Sequence, residues 1–387
     1  MQEKVYNHSY LKNINRLNIL ECVYTNEDVN RNYISLKTGL TGAAVTKIIN
    51  SLIQDKFLTE TTYFSEKRKR KARYLKLSEK EYGVVVIHVS RGQVSAAILE
   101  LNGNIVVSDE YGYNYHLMDD KLFIEIIDTI MKKFPDSMKC LGCVFITPGI
   151  VVSYKKERKN QTPYYWDFDT LKNYIKENYS IDVICGNDSN IALLGERWFG
   201  KAKKEKNSVL YNIGKGIGAA AFVNDKLLEG YNNSSIEIGH TTIDFQGPQC
   251  SCGNKGCLEL YIGEENWEKR LRNKETYKEV PNLVETLFFK ASQNDQTALK
   301  EITEYANLVS NGAITLANMF SPSTIILTTN GADYYNLDLL VSIIEKEINK
   351  SLYTKKLGGE PIKVVASSLR SKGYLLGGLV VALLANF

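Results

Sequence analysis

The chain has 387 residues, 44% of them hydrophobic, enough for two or three domains with a sizeable core and too apolar for a disordered polymer. With 48 Lys and Arg against 44 Asp and Glu, its net charge of +4 does not make the whole molecule a polycation. The charge is unevenly spread, however. Residues 1–80 carry 15 basic and 8 acidic side chains, a net of +7, whereas the remainder carries 33 and 36, a net of −3. A basic head on a mildly acidic body points to a polyanionic partner for the head alone.

The opening MQEKVYNHSYLKNINRL has no apolar core of the kind a signal peptide needs, and the seven Cys are an odd number. Both features lead to the expectation of a reducing, cytoplasmic location. Helical spacing begins at Leu11, Ile14, Leu17, Ile19, Leu20 and Val23. A second short helix fits NRNYISLKTG, with Gly39 in the turn after it. A third follows in LTGAAVTKIINSLIQDKFL, where Val45, Ile48, Ile49, Leu52 and Ile53 share one face. Two helices joined by a glycine turn form a helix-turn-helix pattern. Thr41, Gly42, Ala43, Thr46, Lys47 and Asn50 then face a DNA major groove. Two strands come next around a basic tip, Lys67, Arg68, Lys69, Arg70, Lys71 and Arg73, which reads as a wing against phosphates. A solvated hairpin without a partner is the plainer alternative. Behind a helix-turn-helix, DNA is the better one.

From residue 81 onward, strands alternate with helices. YGVVVIHVSRGQVSAAILE supplies two apolar runs before the turn Asn102-Gly103-Asn104. CLGCVFITPG is a buried strand ending at Pro148-Gly149, and IDVICGNDSNIALLGERW runs from strand into helix at Asn187-Asp188. SVLYNIGKGIGAAAFV is a strand, glycine-rich turn and strand. The apolar YLLGGLVVALLANF is too short to span a bilayer and reads as a core helix, so no membrane partner is expected. The whole predicts an α/β body of two similar lobes, with ligands at strand ends in the cleft between them.

The most specific segment is GHTTIDFQGPQCSCGNKGC, residues 239–257. His240, Cys250, Cys252 and Cys257 supply the three thiolates and one imidazole that fill a tetrahedral Zn²⁺ shell, which leaves no open position and makes the site structural. Reduced, unligated thiols on a loop remain the bland alternative. A disulfide fits the odd count poorly, and redox work fits the Cys-x-Cys spacing poorly. Glu237 and Glu259 flank the loop. With Asn187, Asp188 and the second ring nitrogen of His240 they make a polar set suited to sugar hydroxyls. The bland alternative is that Glu237 and Glu259 are surface residues.

These motifs together resemble the ROK family (repressor, open reading frame, kinase), in particular its repressor branch. ITPG, GNDSNIALLGE, IGKGIGAAAFVNDKLLEG, EIGHTTID and CSCGNKGCLE stand in family order at family spacing. The resemblance implies an actin-like, hexokinase-like (ribonuclease H-like) body behind a winged helix-turn-helix head. It implies domains at 1–80, at 81–187 completed by helix 372–387, and at 188–371. Asn187, Asp188, Glu237, His240 and Glu259 would contact the sugar, and His240, Cys250, Cys252 and Cys257 would hold zinc. Kinase members open the body with Asp-x-Gly-Gly-Thr, and here HVSRGQ places His88, Ser90, Arg91 and Gly92 at those positions. With no carboxylate for Mg²⁺ and a bulky Arg91, no ATP and no catalytic residue are expected. The expected function is a sugar-responsive transcriptional repressor of carbohydrate genes, a homodimer on two operator half-sites. An ATP-dependent sugar kinase is the alternative. Arg91 and Lys215 in the phosphate region raise the option of a sugar phosphate as effector.

Overall fold

The computed structural model describes residues 8–65, 70–90, 92–113, 120–149, 168–203, 205–230, 236–329, 333–351 and 359–387. Three helices and a hairpin begin the chain: α1 (His8–Thr25), α2 (Arg31–Thr38), α3 (Gly42–Gln54), β1 (Leu58–Ser65) and β2 (Arg70–Leu77). The α2–α3 turn forms because Gly39 takes a left-handed φ of 70°, where a side chain would be strained. Asn30 and Thr41 cap the two helices through their side-chain oxygens. Ile19, Leu20, Ile34, Val45, Ile49 and Leu52 close a small core beneath them. Three helices with a two-stranded antiparallel hairpin are the parts of a winged helix.

The body contains one topology twice. Its first sheet holds β3 (Tyr82–Ser90), β4 (Gln93–Glu100), β5 (Ile105–Gly112), β6 (Lys139–Thr147) and β7 (Val183–Asn187), in the order β5-β4-β3-β6-β7. Strands β3, β4 and β5 run antiparallel, and β6 and β7 join β3 in parallel. The second sheet holds β8 (Ser208–Ile213), β9 (Gly218–Val223), β10 (Lys226–Leu227), β11 (Thr324–Thr329) and β12 (Lys363–Ala366), in the order β10-β9-β8-β11-β12. It repeats the pattern: two antiparallel neighbours on one side of the first strand and two parallel ones on the other.

Between residues 82 and 112 three strands form where the apolar runs announce two. The third, β5, lies at a sheet edge and only every other residue is half-buried, so its apolar signal is thin.

One face of the first sheet packs on α4 (Asp120–Lys132) and α5 (Phe168–Tyr179) through Phe123, Ile127, Leu171 and Ile175. Its other face meets α6 (Asp188–Trp198) and α12 (Lys372–Asn386), which share one apolar cluster with Leu210, Ala220 and Ile326 of the second sheet. Helices α6 and α12 therefore form a middle layer shared by both sheets. Beyond the second sheet lie α7 (Glu259–Ile262), α8 (Glu264–Arg272), α9 (Leu283–Ser292), α10 (Gln296–Phe320) and α11 (Leu337–Ser351). No helix among the described residues is long and apolar enough to cross a membrane.

Candidate ligand site and metal cluster

Helix α6 starts where β7 stops, and the residues at that joint are held on several sides. The side-chain oxygen of Asn187 accepts the Asn190 amide at 3.2 Å, while its Nδ2 donates to the Gly149 carbonyl at 2.9 Å. The strand end at Pro148-Gly149 is thereby tied to the helix start. Asp188 is 5% exposed, and its carboxylate accepts the Ser189 amide at 2.6 Å and hydroxyl at 3.2 Å. A carboxylate in a helix's first turn is favoured by the aligned peptide dipoles.

The glycine turn between β8 and β9 closes over this joint, since a methyl group on Gly218 would stand 2.6 Å from Ser189 Oγ. On its other side the Ile217 amide donates to Glu259 Oε2 at 3.2 Å. Gly239 is pressed against the same turn, and a methyl there would stand 2.6 Å from the Ile217 carbonyl and 3.3 Å from Glu259 Oε2. The structure thus gathers Asn187, Asp188, the glycine turn, Gly239 and Glu259 in one place. Glu237 precedes the single turn Ile238–His240. The protein around it strips water from its carboxylate and raises its pKa; Glu259 adds to the rise and His240 opposes it.

His240 turns Nδ1 toward the thiols, 3.7 Å from Cys250 Sγ, and Cys252 Sγ lies 3.6 Å from Cys257 Sγ. All four ligand atoms fall within 4.8 Å of one another, so the group could hold a metal ion. The loop is shaped by isolated bridges Thr242–Cys257 and Gln249–Lys255, and by Leu258 N–H donating to the Thr241 carbonyl at 2.9 Å. Burial acts to raise the Cys250 thiol, but hydrogen bonds from Cys252, Cys257 and His240 outweigh it and bring the pKa down to about 7. Burial and the neighbouring thiols push Cys257 the opposite way, to about 12. Because Glu259 follows Cys257 by two residues and opens α7, the loop and the carboxylate are one rigid turn apart.

On the head, Val45, Ile49 and Leu52 bury one side of α3, and Thr41, Gly42, Ala43, Thr46, Lys47 and Asn50 are all exposed. A residue unannounced by the sequence, Arg31, donates to Asn50 Oδ1 at 2.9 Å and pairs with Glu60. Of the basic tip, Lys67, Arg68 and Lys69 lie outside the described residues. Arg70 and Lys71 belong to β2, and Arg73 is exposed with a guanidinium nitrogen 3.9 Å from Glu60.

Two cavities border the turn between β3 and β4. One of about 420 Å³ is lined by Ser90, Gln93, Lys215, Glu264, Glu268 and Arg272, among others. A second of about 440 Å³ shares Ser90 and Gln93 and reaches His88, Glu110, Asp333 and Lys372. The five residues expected at a sugar line neither. Arg91 lies outside the described residues. Glu264, which the sequence reading passed over in the surface-like run GEENWEK, is buried: its amide donates to the Gly214 carbonyl at 2.8 Å, and its Oε2 accepts the hydroxyls of Tyr334 at 2.5 Å and Tyr335 at 3.1 Å.

The model of the ROK family matches residues 84–384. The chain is 27% identical to the xylose repressor of Bacillus subtilis over 380 residues, which is 96% of each chain. It is 22% identical to the DNA-binding transcriptional dual regulator NagC of Escherichia coli over 373 residues, 91% of this chain and 90% of that one. Among solved structures, a ROK family transcriptional regulator described as a homolog of the E. coli MLC protein superposes with a TM-score of 0.78 at 22% identity. That match covers 97% of this chain and 98% of the other. A ROK family glucokinase from Streptomyces griseus, in complex with glucose and AMPPNP, superposes with a TM-score of 0.64 at 20% identity, covering 77% of this chain and 98% of that one. At these identities the two structures speak for the fold, and the fold they share is the doubled sheet topology described above. A body of two like sheets about a common helical layer, matched by the family model over most of its length, makes the chain a member of the ROK family.

Proposed function

We propose that this protein is a sugar-responsive DNA-binding regulator, a repressor of carbohydrate-utilisation genes that works in the cytoplasm as a homodimer. The observation that carries the reading is the likeness to repressors along the full chain, head as well as body. Residues 1–80 form the DNA-binding domain in this reading, with Thr41, Gly42, Ala43, Thr46, Lys47 and Asn50 toward the major groove. The basic tip from Lys67 to Arg73 meets the phosphates. Residues 81–187 with 372–387 make the smaller lobe and 188–371 the larger.

The sugar lies against Asn187, Asp188, Glu237, His240 and Glu259. Carboxylates and a side-chain amide converging from separate elements suit vicinal hydroxyls, which accept and donate in pairs. The metal is zinc, held by His240, Cys250, Cys252 and Cys257. A tetrahedron with Zn–S bonds of about 2.3 Å has edges of about 3.8 Å, close to the 3.6 and 3.7 Å separations within the cluster. A full shell of four protein ligands supplies structural rigidity and no catalysis. His240 binds through Nδ1, which leaves Nε2 for the sugar side, and the loop fixes Glu237 and Glu259 relative to each other.

Phosphoryl transfer and ATP binding are not part of this reading. The cavity beside Lys215 contains Glu264, Glu268 and Glu285 against Lys215 and Arg272. Among the described residues a phosphate there meets more negative than positive charge, which favours the unphosphorylated sugar as effector.

Full-length protein titrated with operator DNA from in vitro selection, with and without a sugar panel headed by xylose, tests the proposal. One sugar should change DNA affinity at least fivefold, and ATP turnover should stay at background. Robust phosphorylation of any panel sugar would overturn the regulator-only reading in favour of a kinase. Calorimetry with the matching sugar phosphate decides the effector: tighter binding of the phosphate sinks the free-sugar assignment.

A further inference from the structure

We infer that helix α6 is the mechanical link between the sugar wall and the DNA-binding head, with Glu21 and Tyr24 of α1 receiving its movement. The inference rests on the regulator reading and adds the route by which the site reaches the DNA. The two ends of α6 carry the argument. Asn187 caps its first turn and Asp188 begins it. Its 11 residues span about 16 Å at 1.5 Å per residue. At the far end Arg197 Nε donates to Glu21 Oε1 at 3.3 Å. The same guanidinium donates to the Glu205 carbonyl and to Asp225, both at 2.7 Å, so it is clamped from three sides.

Tyr24 packs its ring 4.9 Å from Trp198 and 5.3 Å from Phe199, centroid to centroid, and donates its hydroxyl to the Leu101 carbonyl. A partly buried ion pair at 3.3 Å contributes only modestly by itself. The aromatic set around buried Trp198 is the stiffer part of the joint, since close-packed side chains transmit displacement.

Helix α12 makes the unit rigid. A methyl group on Gly195 would lie 2.3 Å from the Gly373 carbonyl oxygen, and one on Gly377 would lie 1.9 Å from that of Ile191. The two backbones therefore touch, and α6 cannot shift without carrying α12. The end of α12 also reaches the head: Arg16 lies 4.7 Å over the Phe387 ring, and Phe57 packs 4.8 Å from it. Helix α6 thus ends on α1, and its bound partner α12 ends on α1 and on the segment following α3. None of these contact residues belongs to the exposed face of α3. Packed interfaces of this kind switch between discrete arrangements, which is what a sugar-dependent head orientation requires.

The test uses the full-length chain, selected operator DNA and xylose, or whichever panel sugar alters DNA affinity. Glu21→Gln combined with Tyr24→Phe removes the ion pair and the hydroxyl bond while keeping the ring, and Tyr24→Leu removes the ring contacts. In both, sugar affinity by calorimetry and DNA affinity without sugar should stay within about threefold of the unmodified protein. The sugar-dependent ratio of DNA affinities should fall by a factor of five or more. By linkage the effect of DNA on sugar affinity should fall by that same factor, while the retained DNA affinity without sugar distinguishes lost coupling from a damaged head. If the unmodified protein shows no sugar-dependent DNA affinity, the regulator reading fails and takes this inference with it. A response that persists undiminished in both variants overturns the inference alone.

Discussion

His88 ends up 6% exposed at the close of β3, its ring stacked 4.3 Å from that of Tyr374. Its Nε2 and the Tyr374 hydroxyl have no hydrogen-bond partner among the described residues. Burial lowers its pKa to about 3, so it stays neutral in the fold while the unfolded chain takes up a proton below about 6.5. Its contribution to stability is present above pH 6.5 and is lost as the pH falls toward 3. Between pH 7 and 5 the loss amounts to about 2 kcal/mol. Urea denaturation at the two pH values should show His88→Phe flattening that dependence; an unchanged slope would mean His88 is charged in the fold. At the metal cluster, Cys252→Ser should remove one equivalent of zinc by elemental analysis and weaken sugar binding at least tenfold. Retained sugar affinity in the zinc-free variant would separate the two sites. That His240, Cys250, Cys252 and Cys257 come together was legible in the sequence, because those residue types at that spacing have few other uses. Glu264 was not, because a glutamate between polar neighbours looks like a surface residue until Tyr334 and Tyr335 are seen to converge on it.

Among the elements, those with strong local signals were readable and those defined by distant partners were not. The helix-turn-helix follows from Gly39, the caps and the one-sided apolar spacing of α3. The C-terminal helix announced its burial by being apolar all round, which a helix clasped between two sheets must be. Its glycines carry no local signal of their role. In the fold Gly377 is where α12 meets the α6 backbone, whereas a methyl group on Gly373 would find Leu369 no nearer than 3.5 Å. Gly377→Ala should therefore destabilise by about 1–3 kcal/mol or more, as overpacking does, while Gly373→Ala is near neutral or stabilising. Equal midpoints for both in thermal unfolding would contradict the tight packing of α6 on α12. The Arg197–Glu21 contact joins positions 176 apart, and no local pattern encodes it.

Across the whole molecule, the division of charge seen in the sequence becomes a division of labour. The head's exposed α3 face includes Lys47, while the body carries the polar joint and the metal loop. If Lys47 meets a phosphate, Lys47→Ala should reduce the slope of log affinity against log salt by about one, uniformly across DNA sequences. A loss confined to one operator sequence would instead place Lys47 on a base. That the body is a doubled sheet was legible from two strand-turn-strand units, each followed by helices. The contact between head and body was not, because it is built from aromatic side chains in separate elements.

Trp198 lies in that contact, 4% exposed and in ring contact with Tyr24. The chain has three tryptophans, and Trp267 is stacked on Tyr305 in the far core, away from the head. A version of the chain retaining Trp198 alone would be optically self-reporting. Any slip of the head against the body changes the polarity and quenching around one indole, so the emission maximum and lifetime would follow the transition in real time without an attached dye.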